Sequence, residues 1–145
     1  MVIGIFGESC AGKTTLANAI KEKINASIFS GKDYLRLNKS ESQAMEQFEK
    51  LLQSAVNGEH IIYVISEIAH LEFLPEGAVR ILVTAELSTI KNRFAARMLG
   101  ALPPPVEAMI ERRHGCFDSE PHDIKVKSEN YDVNSVCEQV LSLCK

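Results

Sequence analysis

An α/β fold, a five-stranded parallel sheet wrapped by helices on both faces, is predicted by three features of this sequence. First, a short apolar run, residues 2–6 (VIGIF), passes through GESCAGKT into a stretch where Leu16, Ala17, Ile20 and Ile24 recur at helical spacing. Second, runs of buried-strand type alternate with amphipathic stretches along the chain, the pattern of strand-helix-strand units. Third, a length of 145 residues suits a single doubly wound domain, residues 1–145, with one substantial core. In such sheets, ligands bind at the carboxyl ends of the strands.

The octet GESCAGKT, Gly7 to Thr14, has two glycines separated by four residues and followed by lysine and a hydroxyl residue. That is the phosphate-binding P-loop (Walker A) pattern, and it stands where the pattern requires it, between a strand and a helix. The fold class is therefore a P-loop NTPase domain. Gly7 and Gly12 permit backbone angles and close approaches that let successive amides point at phosphate oxygens, and the helix N-terminus adds partial positive charge. Gly7, Glu8, Ser9, Cys10, Ala11, Gly12, Lys13, Thr14 and Thr15 are the expected contacts to a nucleoside triphosphate. Lys13 is expected as an exposed, mobile charge reaching the outer phosphates, and Thr14 as a hydroxyl ligand to magnesium. The expected cofactors are ATP and Mg2+. Cys10 reads as a small residue filling the loop.

Each further element has its own signal. Residues 26–30 (ASIFS) read as the second strand, followed by the polar loop SGKDYLRLNKS. Ser40 with Gln43 forms a capping-box pattern, opening a helix whose buried stripe is Met45, Phe48, Leu52, Ala55 and Val56 and whose end is Asn57-Gly58. Residues 60–66 (HIIYVIS) are unbroken in their apolar residues, as for a central parallel strand. Residues 67–78 have little room for a full helix before the fourth strand, Val79–Thr84. Leu87, Ile90, Phe94 and Met98 form the next apolar stripe, with Arg93 and Arg97 on another face and Gly100 as terminator. Prolines 103, 104 and 105 predict an extended or turning segment before a short helix carrying Val106, Met109 and Ile110. Residues 123–127 (DIKVK) read as an edge-like fifth strand and Val133–Cys144 as the last helix, with Cys137 and Cys144 toward the core.

Composition narrows the function classes. A net charge of −3 and a pI near 5.8 leave no basic footprint for nucleic acid. No apolar run is long enough to span a bilayer, and the chain enters its first strand without a signal-peptide pattern, so no membrane partner and a cytoplasmic location are expected. The four cysteines, at 10, 116, 137 and 144, lack both paired zinc spacing and disulfide density and read as free thiols.

The loop after the second strand carries Asp33 and Arg36 in KDYLR. Here the chain resembles the small-molecule kinases of the P-loop class, most closely adenylylsulfate kinase, with shikimate and gluconate kinases similar in plan. VISEI, VRILVTAEL, RFAAR and CFDSEPHDIKV are similar to that family's third strand, fourth strand, lid helix and approach to the fifth strand. The resemblance implies that Asp33 stands beside the accepting hydroxyl of a small-molecule or nucleotide acceptor and contributes to catalysis, and that Arg36 grips an anionic part of that acceptor; with no aspartate after the third strand, Asp33 is also read as a magnesium ligand beside Thr14, phosphates and water. Arg97 is the expected lid arginine, catalytic with Lys13 and Asp33; Arg93, Arg112 and Arg113 are alternatives.

Two departures keep other readings open. The connection from Glu67 to Ala78 is shorter than the family's, and the third strand ends in Ser66-Glu67 without the usual metal-holding aspartate. An NTPase using water, with Glu67 as the activating carboxylate, and a nucleotide-binding regulator without turnover therefore stand beside the kinase reading. His114 reads as a helix-end residue, and His60, His70 and His122 as scattered.

Overall fold

The computed structural model describes residues 1–143. Five strands pair in parallel throughout: β1 (Val2–Phe6), β2 (Ser27–Ser30), β3 (Ile61–Ile65), β4 (Val79–Thr84) and β5 (Ile124–Lys127). Their order across the sheet is β2-β3-β1-β4-β5. The chain first builds on the β3 side of β1 and then on the β4 side, so the carboxyl end of β1 opens into the crevice of a doubly wound fold.

Alternation within the strands sorts the core into two layers. Ile3, Ile5, Ile62, Val64, Ile81 and Val83 pack beneath α1 (Lys13–Ile24) and α5 (Val133–Leu143). Val2, Phe6, Ile61, Tyr63, Ile65 and Leu82 pack on the other face, against α2 (Glu41–Ala55) and the turns that flank it. Both faces of β1 and β3 are covered, which explains their lack of polar interruption. At the edge, β5 buries only Ile124 and Val126 and exposes Lys125 and Lys127, and those lysines guard it against further pairing.

Ser40 caps α2 as its sequence predicts, accepting from Gln43 N at 3.5 Å. The buried stripe differs: it is Ala44, Phe48, Leu52 and Ala55, whereas Met45 is 39% exposed and Val56 lies just past the helix, partly buried. Steps of four residues from Phe48 back to Ala44 follow the helical face, and Met45 lies about 100° round from it. The short connection after β3 forms a 3-10 segment, Ile68–Phe73, in place of a helix.

The third stripe is also shallower than its periodicity suggests. In α3 (Leu87–Arg97) Ile90 is buried, while Leu87 and Phe94 are partly buried and Met98 is exposed. Leu99 and Gly100 both take left-handed angles, with φ of 63° and 91°, and turn the chain back toward α4 (Pro104–Arg113). Only Pro103 keeps an extended conformation, with ψ of 142°. Pro104 and Pro105 enter the first turn of α4, where a missing amide hydrogen costs nothing. These two helices pack on each other through Ile90, Phe94, Met109 and Ile110, forming an arm beside the crevice. Among the described residues, no helix is long and apolar enough to cross a membrane. Cys10, Cys116 and Cys137 carry free thiols, and Cys137 is buried as expected; Cys144 lies outside the described residues.

Candidate active site

The phosphate loop is shaped by what surrounds it. A Cβ on Gly7 would stand 2.3 Å from the Val83 carbonyl oxygen, so only glycine lets the loop leave β1 so close to β4. Gly12 precedes α1 with φ of 103°, a left-handed conformation that side chains rarely adopt. Helix α1 has no side-chain cap and no acid in its first turn, which leaves its leading amides open to an anion. Cys10 is left-handed too, with φ of 65°, and its carbonyl accepts from Arg93 Nη1 at 2.9 Å.

Lys13 departs from its expected exposure. It is 5% exposed and donates Nζ hydrogens to the carbonyls of Gly7 at 2.8 Å and Glu8 at 2.6 Å. Burial pushes its pKa down to about 8; Cys10 and Glu8 oppose that shift and Arg97 adds to it. The ammonium thus leans on the loop it serves, satisfied by carbonyls. Thr14 and Thr15 face solvent.

Above the loop lies a depression of about 330 Å³ lined by Ser9, Cys10, Gly12, Lys13, Thr14, Thr15, Ser30, Gly31, Val64, Ser66 and Arg97. Arg97, the last residue of α3, thereby joins the loop across more than eighty residues of sequence. From the segment after β2, it is Ser30 and Gly31 that reach this lining. The Asp33 carboxylate is occupied locally, accepting from Ser30 N at 2.9 Å. Arg36 also stays local: its side chain is 69% exposed and 3.9 Å from Asp33, with the guanidinium 5.5 Å from the Phe29 ring centroid. The structure therefore brings Lys13, Thr14, Thr15 and Arg97 together and holds Asp33 and Arg36 as a pair at the rim.

The wall beneath that rim is aromatic. Tyr63 donates its hydroxyl to the Gly31 carbonyl at 2.8 Å, which anchors the turn before the 3-10 segment Asp33–Leu37. Burial pushes the Tyr63 phenol pKa up, with Tyr34, Glu67 and Asp33 adding to the shift. At the end of β3, the Glu67 carboxylate is 62% exposed and lies 3.8 Å from His70 Nε2. A second depression, lined by Ser66, Glu67, Ile68, Arg113, Cys116 and Phe117, borders the first at Ser66.

Three contacts lay outside the sequence reading. Arg93 holds the loop carbonyl of Cys10, and the Glu8 carboxylate meets His114 Nδ1 at 3.1 Å and Gly115 N at 3.0 Å. The available signal was Glu8 itself, since an acid inside an anion-binding loop needs a partner elsewhere. Among the described residues, no group of three His, Cys, Asp or Glu side chains is placed to hold a metal alone. The Thr14 hydroxyl, exposed at the start of α1, is a donor that a magnesium ion held otherwise by phosphate and water could take.

No protein-family profile matches the chain, and no curated protein sequence does. Solved structures match over nearly its whole length. A candidate kinase from Chloroflexus aurantiacus superposes with a TM-score of 0.71 at 14% identity, covering 99% of this chain and 98% of its own. A gluconokinase from Sinorhizobium meliloti gives 0.61 at 14% identity, covering 99% and 90%. Shikimate kinase from Acinetobacter baumannii, solved with shikimate, gives 0.63 at 12% identity, covering 98% and 92%. At such identities the likeness is one of architecture: the chain has the P-loop fold found in small-molecule kinases, a five-stranded parallel sheet with helices on both faces.

Proposed function

We propose that this chain is a kinase that transfers the outer phosphate of ATP, with Mg2+, to a hydroxyl of a small-molecule acceptor. The observation that carries the reading is the depression where Lys13, Thr14 and Thr15 meet Arg97 and the carboxyl ends of β2 and β3. Phosphoryl transfer needs alignment and charge stabilisation more than covalent help, and this is where both converge. Loop amides and Lys13 bind the phosphates, and Arg97 meets charge on the transferring group. Magnesium, when bound, neutralises phosphate charge; Thr14, with Asp33 through water, is the protein set that would hold it.

On the acceptor side, Asp33 orients the hydroxyl and takes its proton, with Oδ2 held by Ser30 N and Oδ1 turned to the acceptor. Arg36 binds an anionic group of the acceptor. Arg113, in the depression bordering Ser66, offers a second anchor on the opposite wall. The resemblance of KDYLR to the adenylylsulfate kinase segment adds nucleotides to the acceptors worth testing. The experiment is a metabolite-library screen for transfer from labelled ATP with magnesium. A single organic phosphate product supports the assignment, and ATP binding without any product across the library contradicts it.

A second reading has its own support. Glu67 is a solvent-facing carboxylate beside Ser66, whereas Asp33 is already hydrogen-bonded. If Glu67 activates water, ATP turnover proceeds at full rate with no acceptor present.

A further inference from the structure

Glu8 is a carboxylate inside a loop whose open amides suit an anion, and a free negative charge there would repel a phosphate at close range. Its side chain is nonetheless 11% exposed and turned out of the loop. Oε1 lies 3.1 Å from His114 Nδ1, and Oε2 accepts from Gly115 N at 3.0 Å. Because an ionised carboxylate only accepts, Nδ1 carries the hydrogen and donates. Both partners belong to the turn that closes α4, where Gly115 takes φ of 79°. A Cβ at 115 would meet Asp118 Oδ2 at 3.1 Å, so backbone shape and packing together aim this amide at Glu8.

The other helix of the arm is tied to the same loop. Arg93 of α3 donates to the Cys10 carbonyl at 2.9 Å. Both legs of the arm, α3 through Arg93 and α4 through Glu8, thus end on the phosphate loop.

We propose that His114 and Gly115, at the base of the α3–α4 arm, are positioning groups for Glu8: they latch its carboxylate outside the phosphate loop and so keep its negative charge away from the bound phosphates. The proposal rests on the reading of the loop as a polyphosphate site. It makes a prediction that a packing role does not make. Removing His114 leaves the carboxylate with Gly115 N as its one latch partner and loosens it toward the loop, so polyphosphate affinity falls; neutralising Glu8 in the same protein removes the repulsion, so affinity returns.

The test is calorimetric binding of inorganic triphosphate and, in parallel, of magnesium ATP to the parent, E8Q, H114A and the E8Q/H114A double variant. His114 is half-exposed, so H114A is expected to fold. It should bind triphosphate about tenfold more weakly, a scale set by one close like charge at partial screening. E8Q keeps the loop amide at position 8, the group expected to meet phosphate, and removes only the outward-turned charge, so it should bind no more weakly than the parent; the double variant should recover most of the loss. H114A binding like the parent, or a double variant as weak as H114A, overturns the latch. A parent that binds triphosphate but not magnesium ATP contradicts the nucleotide reading alone, and the triphosphate series still decides the latch. A parent that binds neither overturns both. Nitrogen-15 spectra of labelled histidine give an independent check: the latch places a proton on His114 Nδ1, and a neutral ring protonated only on Nε2 contradicts it.

Discussion

The two walls of the crevice are built by different means. Residues 7–15 are fixed by backbone: Gly7 lies against β4 with no room for a Cβ, Lys13 is buried on two carbonyls, and Arg93 and Glu8 tie the loop to the arm. The opposite wall, residues 31–37 and 66–73, is built around 3-10 turns on which Arg36 and Glu67 stand largely in solvent and Asp33 is half-buried. Under the proposed kinase reading, the first wall meets a phosphate chain, which is the same in every nucleotide, and the second meets an acceptor whose shape and charge differ from enzyme to enzyme; side chains there can change without disturbing the sheet.

Lys13→Ala should show the largest effect, because it strikes the fixed wall. Turnover or nucleotide affinity is expected to fall by a hundred- to a thousandfold, on the order of losing a preorganised charge donor. The fold should survive, since the methylene stem and two loop hydrogen bonds that are lost are offset in part by relief of a desolvated charge. Circular dichroism with nucleotide titration checks both halves.

The exposed wall gives the next effect. Asp33→Asn should leave nucleotide binding intact and lower transfer by a factor on the order of a hundred, the scale of a removed general base. Glu67→Gln should matter less. The reverse ranking would move the chemistry from Asp33 to Glu67 and favour water as acceptor.

Arginines sharpen the contrast further. Arg97→Ala should lower kcat by about 2 kcal/mol with little change in either KM, because its charge meets the transferring group only as charge develops. Arg36→Ala should raise the acceptor KM and leave kcat nearly unchanged. If Arg113→Ala produces that signature in place of Arg36→Ala, the acceptor anchors on the arm side of the crevice.

The smallest effect is a pH dependence of the fixed wall. Lys13 loses its proton near pH 8 in the folded protein and near 10.5 unfolded. The desolvation cost of its charge is fully present below pH 8 and is relieved as pH rises from there toward 10.5, so this group adds stability across that window. Nucleotide affinity moves oppositely: phosphate prefers the charged lysine, so affinity should weaken as pH rises above 8, by at most about tenfold per unit. Titrations in the parent and Lys13→Ala would check this, the variant losing the slope.

The same division explains what the sequence made readable. The five strands along the chain, the loop between the first strand and helix, and the Ser40 cap rest on local patterns, period and glycine placement, and these elements appear in the structure where the patterns put them. Met45 misled because an apolar residue one step off a helical face still looks apolar, and Pro104 and Pro105 because a proline pair suits a helix's first turn as well as an extended segment. The contacts of Arg93 and Glu8 depend on parts of the chain more than eighty residues away. No local pattern encodes those. On the exposed wall the sequence named Asp33 and Arg36 only by resemblance, and the structure sets them 3.9 Å apart.

Kinase, hydrolase and silent binder differ most directly in the fate of the outer phosphate of ATP. The decisive measurement is turnover of γ-labelled ATP in oxygen-18 water with the acceptor found by the screen. Transfer to a hydroxyl predicts a labelled organic phosphate with no solvent oxygen in its phosphoryl group, formed only when acceptor is present. Inorganic phosphate carrying one solvent oxygen, released at the same rate with or without acceptor, would contradict it.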